Sequence, residues 1–184
     1  MPAATQIKKG EAILLNGELY KILNLQHITP GKGNAVVQSD LRNVRTGVKT
    51  EKRFRSNEDV EVADLIMRKL QFLYETEGVY HFMDVQTFEQ YEVGHDVVSD
   101  SKDFLVPETV YEVDLYESNP VGIKLPAKMN FKIIETDPAE RGEAGKTKPA
   151  KLETGLVIQV PLFIASGEVV VVNPEKKEYV ERAE

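Results

Sequence analysis

Hydrophobic and polar residues alternate in short stretches along nearly the whole chain, a period of two that is typical of half-buried β-strands. In the first third the pattern predicts strands over Ala12–Leu15, Leu19–Leu25, Ala35–Arg42 and Val48–Phe54. Asn16-Gly17 and Arg45-Thr46-Gly47 predict the turns between them, because Asn and Gly tolerate positive φ. The stretch from Ser56 to Asp64 is polar and acidic, and it predicts a turn or a short helix.

The middle third continues the strand pattern and contains the best helix candidate. Strands are predicted over Leu70–Glu75, Val79–Met83, Phe88–Val93, Val110–Tyr116 and Val121–Leu125. The segment from Asp96 to Leu105 predicts a helix, with Ser99 or Asp100 as a possible cap.

The last third adds four more strands and a long loop. Strands are predicted over Asn130–Thr136, Gly155–Pro161, Glu168–Val172 and Glu178–Arg182, and the polar stretch from Asp137 to Ala150 predicts an exposed loop. Short, regularly spaced strands favour small β-barrels, so the fold class is predicted as all-β. Breaks near residues 64 and 127 divide the chain into three predicted domains, residues 1–64, 65–127 and 128–184. Units of this size are marginally stable alone and are expected to support one another.

Composition places the chain among globular proteins. Hydrophobic residues make up 41% of the sequence and there is no Cys, which fits a reducing compartment and excludes disulfides. The N-terminus has no apolar segment after Lys8 and Lys9, so no signal peptide is predicted. No apolar run approaches the length of a membrane span, and the protein is expected in the cytoplasm.

Charge is distributed unevenly along the chain. Residues 1–56 hold ten Lys or Arg against four Asp or Glu, whereas residues 65–128 hold five against twelve. A basic face on an acidic body can bind phosphates locally, while the body discourages loose binding of RNA. The alternative is that charge simply varies along the chain.

The sequence offers little for catalysis or for a cofactor. His27, His81 and His95 have no metal-ligand spacing, so no metal and no cofactor are predicted. Gly31-Lys32-Gly33 lacks the upstream glycine and the following Ser or Thr of a nucleotide-binding loop. A carboxylate pair is not excluded, since acidic residues are plentiful.

One hexapeptide is unusual: Thr29-Pro30-Gly31-Lys32-Gly33-Asn34. Pro30 stiffens the approach, and Gly31 and Gly33 leave little bulk beside the lysine. Such a hairpin tip holds Lys32 outward, where it can enter a narrow site or reach a modifying enzyme. The plain alternative is a Pro-Gly turn with a solvated lysine.

In context this loop resembles the first domain of the bacterial elongation factor P family. The resemblance runs in order through Leu41-Arg42-Asn43, Thr46-Gly47, Glu51-Lys52-Arg53-Phe54-Arg55-Ser56, Tyr80-His81-Phe82-Met83-Asp84, Thr87-Phe88-Glu89-Gln90, Glu135-Thr136-Asp137-Pro138, Lys148-Pro149-Ala150, Thr154-Gly155, Val160-Pro161-Leu162-Phe163, Gly167-Glu168 and Glu178-Tyr179-Val180-Glu181-Arg182. Each short match is weak, but the ordered set over nearly the whole chain is specific.

The resemblance implies an SH3-like (KOW-like) barrel followed by two OB-folds in an L-shaped, tRNA-like arrangement. It implies a monomeric factor, not an enzyme, that binds both ribosomal subunits between the P and E sites. There it would position the CCA end of P-site peptidyl-tRNA or initiator tRNA and relieve stalling at consecutive prolines. The residue matching Lys32 often carries an added group, so a lysine-modifying enzyme is an expected partner.

The resemblance also assigns roles to further residues. Candidates for contact with the tRNA backbone are Arg42, Arg45, Lys52, Arg53 and Arg55, each of which is alternatively a solvated strand residue. The loop Arg141-Gly142-Glu143-Ala144-Gly145-Lys146 is expected to face the small subunit and the E-site codon, or else to be merely flexible. Tyr179 and Arg182 are expected to face the small subunit, although Tyr179 could equally be a half-buried strand residue.

Two other functional classes remain as alternatives. A general RNA-binding β-barrel protein would carry aromatic residues on a basic sheet, whereas here the aromatics concentrate in the acidic middle third. A small hydrolase built on acidic residues would keep its activity after replacement of Lys32 and lose it with one Asp or Glu.

Overall fold

The computed structural model describes residues 1–142 and 144–184, and this part of the chain is almost entirely β-structure. It contains fifteen strands, one α-helix of four residues and two short 3-10 turns. The all-β prediction is therefore confirmed. None of the helices described is long and apolar enough to cross a membrane.

The first sheet is antiparallel and has the strand order β4-β3-β2-β1-β5. Its strands are β1 (Ala12–Leu15), β2 (Glu18–Ile28), β3 (Val36–Asn43), β4 (Lys49–Arg55) and β5 (Glu61–Ala63). The predicted turn between β1 and β2 is confirmed, with φ of 51° at Asn16 and 78° at Gly17.

Strand β5 corrects the prediction of a turn or helix over Ser56 to Asp64. It pairs with β1, with Ala63 opposite Ala12 and Val62 opposite Ile13. β5 has only three residues, and the acidic residues around it hide the alternation that would predict a strand. The strand exists because β1 offers it a free edge and because Val60 and Ala63 are buried there.

The second sheet has the strand order β10-β9-β6-β7-β8. Its elements are β6 (Ile66–Thr76), β7 (Val79–Asp84), β8 (Gln90–Gly94), the helix α1 (His95–Val98), β9 (Val110–Tyr116) and β10 (Asn119–Lys124).

The helix predicted from Asp96 to Leu105 is broken into two pieces. α1 ends at Val98, and Ser99, one of the two residues predicted as a possible cap, lies at its C-cap position. The N–H groups of Ser101 and Phe104 bond to carbonyls only three residues back, at 2.8 and 2.9 Å, which tightens the chain into a 3-10 turn over Lys102–Phe104. This compact path buries Val98, Phe104 and Leu105 together.

The third sheet has the strand order β13-β12-β11-β14-β15. Its strands are β11 (Met129–Thr136), β12 (Thr147–Leu152), β13 (Val157–Pro161), β14 (Val169–Asn173) and β15 (Glu178–Arg182).

Strand β12 shortens the loop predicted from Asp137 to Ala150. Pro149 argued against a strand, yet pairing with β11 stops at Ala150, so β12 has an open edge there. The Pro149 carbonyl points to that edge and accepts a hydrogen bond from Thr136 Oγ1 at 2.9 Å. The missing N–H of Pro149 faces the same way and leaves no ladder partner unsatisfied.

Two hydrophobic cores hold the three sheet domains. The first domain has its own core, formed by Ala4, Ile7, Ile13, Ile22, Val37, Leu41, Phe54 and Val60. The second and third domains share one continuous core, in which the ring centroids of Phe104 and Phe131 lie 5.9 Å apart. The second and third domains therefore form one packed body, and the buried core of the first domain does not extend into that body.

Candidate functional site

Lys32 lies at the tip of the hairpin formed by β2 and β3. The last paired residues are Ile28 and Val36, and every residue from 29 to 34 is exposed. Within the described part of the chain, the Lys32 amine makes no hydrogen bond and no ion pair. The geometry therefore presents a free cation at the end of a strand pair.

The two glycines and the proline shape this tip. Gly33 has φ of 117°, a conformation that L-residues with a side chain rarely adopt, whereas open space surrounds the position where Gly31 would carry a Cβ. Pro30 is exposed on the other side of the lysine. Any group attached to Lys32, or any narrow cleft that receives it, meets little steric hindrance.

A hairpin packed against the first core carries the tip. β2 and β3 pair from Tyr20 opposite Asn43 to Ile28 opposite Val36, with one irregularity near Ile22. On the inner face Val37 and Leu41 are buried in the first core, and the buried Ser39 Oγ donates to the Lys52 carbonyl at 2.8 Å. The loop is therefore mounted on a packed β-scaffold.

Arg53 and Arg55 lie close to the base of this loop. Arg55 pairs with Val36, the first residue of β3, and Arg53 pairs with Gln38. Both arginines are exposed, and Arg53 Nε donates to Gln38 Oε1 at 2.7 Å. Lys52 points to the other face, with Nζ 5.3 Å from the centroid of the Phe54 ring. The structure thus brings three of the five predicted phosphate contacts to the Lys32 end of the domain.

Arg42 and Arg45 lie at the opposite end of the hairpin. The side chain of Arg42 is only 13% exposed, and its Nη1 lies 2.5 Å from Asp100 Oδ2 in the second domain. Arg45 is exposed and its Nη2 donates to Glu18 Oε1 at 2.7 Å, which lowers the pKa of that carboxyl. Both guanidinium groups thus have carboxylate partners within the chain, and the structure does not bring them to the tip.

Arg42 belongs to a row of cations across three strands. It pairs with Lys49 of β4 on one side and with Lys21 of β2 on the other. Lys21 Nζ lies 3.8 Å from Asp114 Oδ2 of the second domain. Part of the basic charge of the first domain therefore faces the acidic second domain instead of solvent.

In the third domain, the predicted loop around Arg141 is held against Leu162 on its N-terminal side; Glu143 lies outside the described residues. The Glu140 N–H donates to the Leu162 carbonyl at 3.0 Å, and a Cβ at Gly142 would overlap Leu162 Cδ1. A side chain at position 142 would thus require Leu162 to change its rotamer. Arg141, Gly145 and Lys146 are exposed, and Gly145 has φ of 91°.

Lys148 supports this loop from inside, a role that the sequence analysis missed. It is 5% exposed, and its Nζ donates to the carbonyls of Asp137 at 2.5 Å and Pro138 at 3.3 Å. The sequence pattern indicated this burial, since Lys148, Ala150 and Leu152 are two residues apart along β12 and so lie on the same buried face.

Arg182 and Tyr179 lie on the last strand. The guanidinium carbon of Arg182 lies 4.7 Å from the Phe163 ring centroid, and Nη2 lies 3.5 Å from Glu168 Oε1. Tyr179 is half-buried against the shared core, and this burial raises its pKa. For Tyr179 the structure matches the alternative of a half-buried strand residue, and the half-exposed guanidinium of Arg182 lies over the Phe163 ring.

Comparison with known proteins gives a consistent result over the chain. Three family models match in succession: the elongation factor P KOW-like domain over residues 3–60, its OB domain over residues 65–123, and the elongation factor P C-terminal domain over residues 129–182.

Full-length relatives agree. The chain is 38% identical to elongation factor P of Symbiobacterium thermophilum, with 100% of both chains covered. It is 41% identical to elongation factor P 1 of Lactobacillus acidophilus, with 100% of this chain and 97% of the relative covered. Against elongation factor P of Dictyoglomus thermophilum it is 43% identical, with 95% of each covered.

A solved structure shows the same fold in part. The protein named eukaryotic translation initiation factor 5A from Methanococcus jannaschii aligns with a TM-score of 0.51 and 23% identity. The alignment covers 67% of this chain and 90% of that one.

Proposed function

The chain belongs to the elongation factor P family of translation elongation factors, and we propose that it relieves stalling at consecutive prolines. It binds the ribosome between the P and E sites and places Lys32 beside the CCA end of P-site peptidyl-tRNA or initiator tRNA. The observation that supports this most is the exposed Lys32 amine, without a partner in the described part of the chain, at the end of a packed hairpin.

The mechanism we propose is positioning. Proline is a constrained and poor nucleophile, and a misplaced peptidyl end worsens its attack. A rigid tip that braces the tRNA end lowers the entropic cost of reaching the reactive geometry. The Lys32 cation, near phosphates and reacting carbonyls, adds electrostatic stabilisation. The protein itself forms and breaks no bond in this mechanism, so it is not an enzyme.

The proposed RNA contacts follow the position of the cations along the hairpin. Arg53, Arg55 and Lys52 contact the backbone of the tRNA acceptor arm, since they lie near the base of the Lys32 loop. Arg42 and Arg45 contact RNA only if phosphates replace Asp100 and Glu18 as the partners of their guanidinium groups.

Other partners complete the proposal. The third domain faces the small subunit through Arg141, Gly142, Gly145, Lys146, Tyr179 and Arg182. With Lys32 of the first domain beside the tRNA, the three domains have a tRNA-like arrangement along the ribosome. A lysine-modifying enzyme acts on Lys32, whose neighbours Gly31 and Gly33 carry no side chain to obstruct it. The protein works as a monomer in the cytoplasm.

A reconstituted translation system tests this function. The message encodes three consecutive prolines, and the protein is purified from its native host so that any group on Lys32 is present. We expect the protein to restore full-length product that is depleted in its absence, and to leave a proline-free message unchanged. No effect on the proline message would reject the proposal and favour a general RNA-binding role.

Salt dependence tests the proposed backbone contacts. We expect the affinity for ribosomes to fall with salt, and the double variant Arg53→Gln, Arg55→Gln to reduce the slope of log K against log salt by about 0.7–0.9 for each phosphate that is no longer neutralised. The matched control, Lys132→Gln with Lys151→Gln, removes two exposed cations of the third domain and should keep the slope. Equal slopes for both double variants would contradict the assignment.

A further inference from the structure

The first domain meets the second through ion pairs. Arg42 Nη1 lies 2.5 Å from Asp100 Oδ2, and Lys21 Nζ lies 3.8 Å from Asp114 Oδ2. The buried core of the first domain is separate from the core that the second and third domains share. The buried cores do not continue across the boundary between the two bodies, so the angle between them depends on contacts such as these ion pairs.

The Arg42–Asp100 pair is the shorter of the two contacts. Arg42 is 13% exposed, and its Nε is buried without a hydrogen-bond partner among the described residues. Removing Asp100 would therefore leave a largely buried guanidinium without its carboxylate, which favours separation of the two domains because undocking returns Arg42 to water. The side chain of Asp100 is 66% exposed, so a change there does not disturb a core.

Asp100 also lies in the field of cations from more than one domain. The hydrogen bond from Arg42 is the main cause that lowers the pKa of Asp100, and the charges of Lys49 and Lys177 lower it further. Lys49 belongs to the first domain and Lys177 to the third. The carboxylate thus lies where all three domains approach one another, beside a cleft of about 1130 Å³.

Because Arg42 and the base of the Lys32 loop belong to the same strand, β3, a small rotation at the Arg42–Asp100 contact displaces the tip. Arg42 lies on the same strand as Val36, which borders the Lys32 loop. The six-residue separation corresponds to about 20 Å at ~3.3 Å per residue. A rotation of ~10° about Arg42 therefore shifts the base of the loop by ~3 Å, and a displacement of ~1 Å can cost ~10²-fold in a positioned reaction.

We propose that Asp100 is a positioning residue for Lys32. Through its ion pair with Arg42, it fixes the orientation of the first domain on the body of the second and third domains, and so fixes where the tip reaches. The inference rests on the proposed function for its consequence in translation, whereas the docking itself is measurable on the isolated protein.

The test measures the angle between domains directly. The chain has no Cys, so Gln26→Cys and Thr76→Cys place two dyes on exposed positions of the first and second domains. Single-molecule energy transfer then gives the distribution of distances for the full-length protein. We expect Asp100→Asn to broaden this distribution at low salt, with an unchanged melting temperature, and wild type to show the same broadening only at high salt.

Two comparisons separate charge pairing from a general structural effect. Arg42→Glu and Asp100→Arg should each broaden the distribution, and the double variant should narrow it again. Glu92→Gln, an exposed acid elsewhere on the second domain, is the matched control and should leave it unchanged. In the three-proline assay we expect Asp100→Asn to lower stimulation by roughly tenfold, in keeping with a displaced tip.

The outcomes are distinct. A distance distribution that Asp100→Asn leaves as in wild type overturns the proposal, as does a broadened distribution with full stimulation. If the wild-type protein itself gives no stimulation, the proposed function fails, and so does the link from Asp100 to translation, even where the docking by charge is observed.

Discussion

Replacement of Lys32 by alanine should abolish the stimulation of consecutive-proline synthesis and leave the fold intact. The side chain is exposed and has no partner in the described part of the chain, so the free energy of unfolding should change by less than about 0.5 kcal/mol. The tip would no longer carry the cation that braces the tRNA end, which should lower the rate on the order of 10²-fold. The rate is measured in the three-proline assay and the stability by thermal unfolding.

Two control variants sharpen this prediction. Lys32→Arg keeps a cation of similar length but removes the primary amine that a modifying enzyme needs, so partial activity would separate charge from modification. Lys151→Ala removes an exposed lysine of the third domain and should have no effect. A large drop in melting temperature with Lys32→Ala would show that the residue is structural, and full activity would show that the tip is not the functional site.

Replacement of Phe104 by alanine should destabilise the second and third domains together. Phe104 is fully buried, and its ring contacts Phe131 of the third domain inside the shared core. Removing a buried phenyl ring costs about 3–5 kcal/mol, because apolar burial is reduced and a cavity remains. Hydrogen exchange resolved by peptide should show faster exchange of equal size in both domains, with the first domain unchanged.

Phe54→Ala is the matched control for this prediction. Phe54 is equally buried but belongs to the separate core of the first domain. It should speed exchange in the first domain alone. If Phe104→Ala affected only the second domain, the shared core would not behave as one cooperative unit.

Local chemistry was enough to predict most strands and turns. The Asn16-Gly17 turn has both residues at positive φ, and strands β1, β9 and β15 have the predicted bounds. Alternation with a period of two and turn residues act within a few positions, so they can be read without tertiary structure.

The predictions of secondary structure that were wrong share one cause. β5 depends on the free edge of β1, and β12 accepts Pro149 because pairing with β11 ends beside it. The helix after Asp96 is cut short because its apolar residues pack into the core over a 3-10 turn. In each case a partner distant in sequence overrode the local preference.

Features of the candidate site also divide into those that local sequence predicts and those that tertiary contacts determine. Local sequence was sufficient to predict the all-β class, the family resemblance and the exposure of Lys32, since Pro30 and two glycines act on their immediate neighbours. Which cations stay exposed depends on contacts between strands and between domains. Arg53 and Arg55 stay exposed near the tip, whereas Arg42 meets Asp100 and the buried Lys148 meets two backbone carbonyls. The partner of a charge depends on which strands and domains fold against it, and neither composition nor spacing along the chain contains that information.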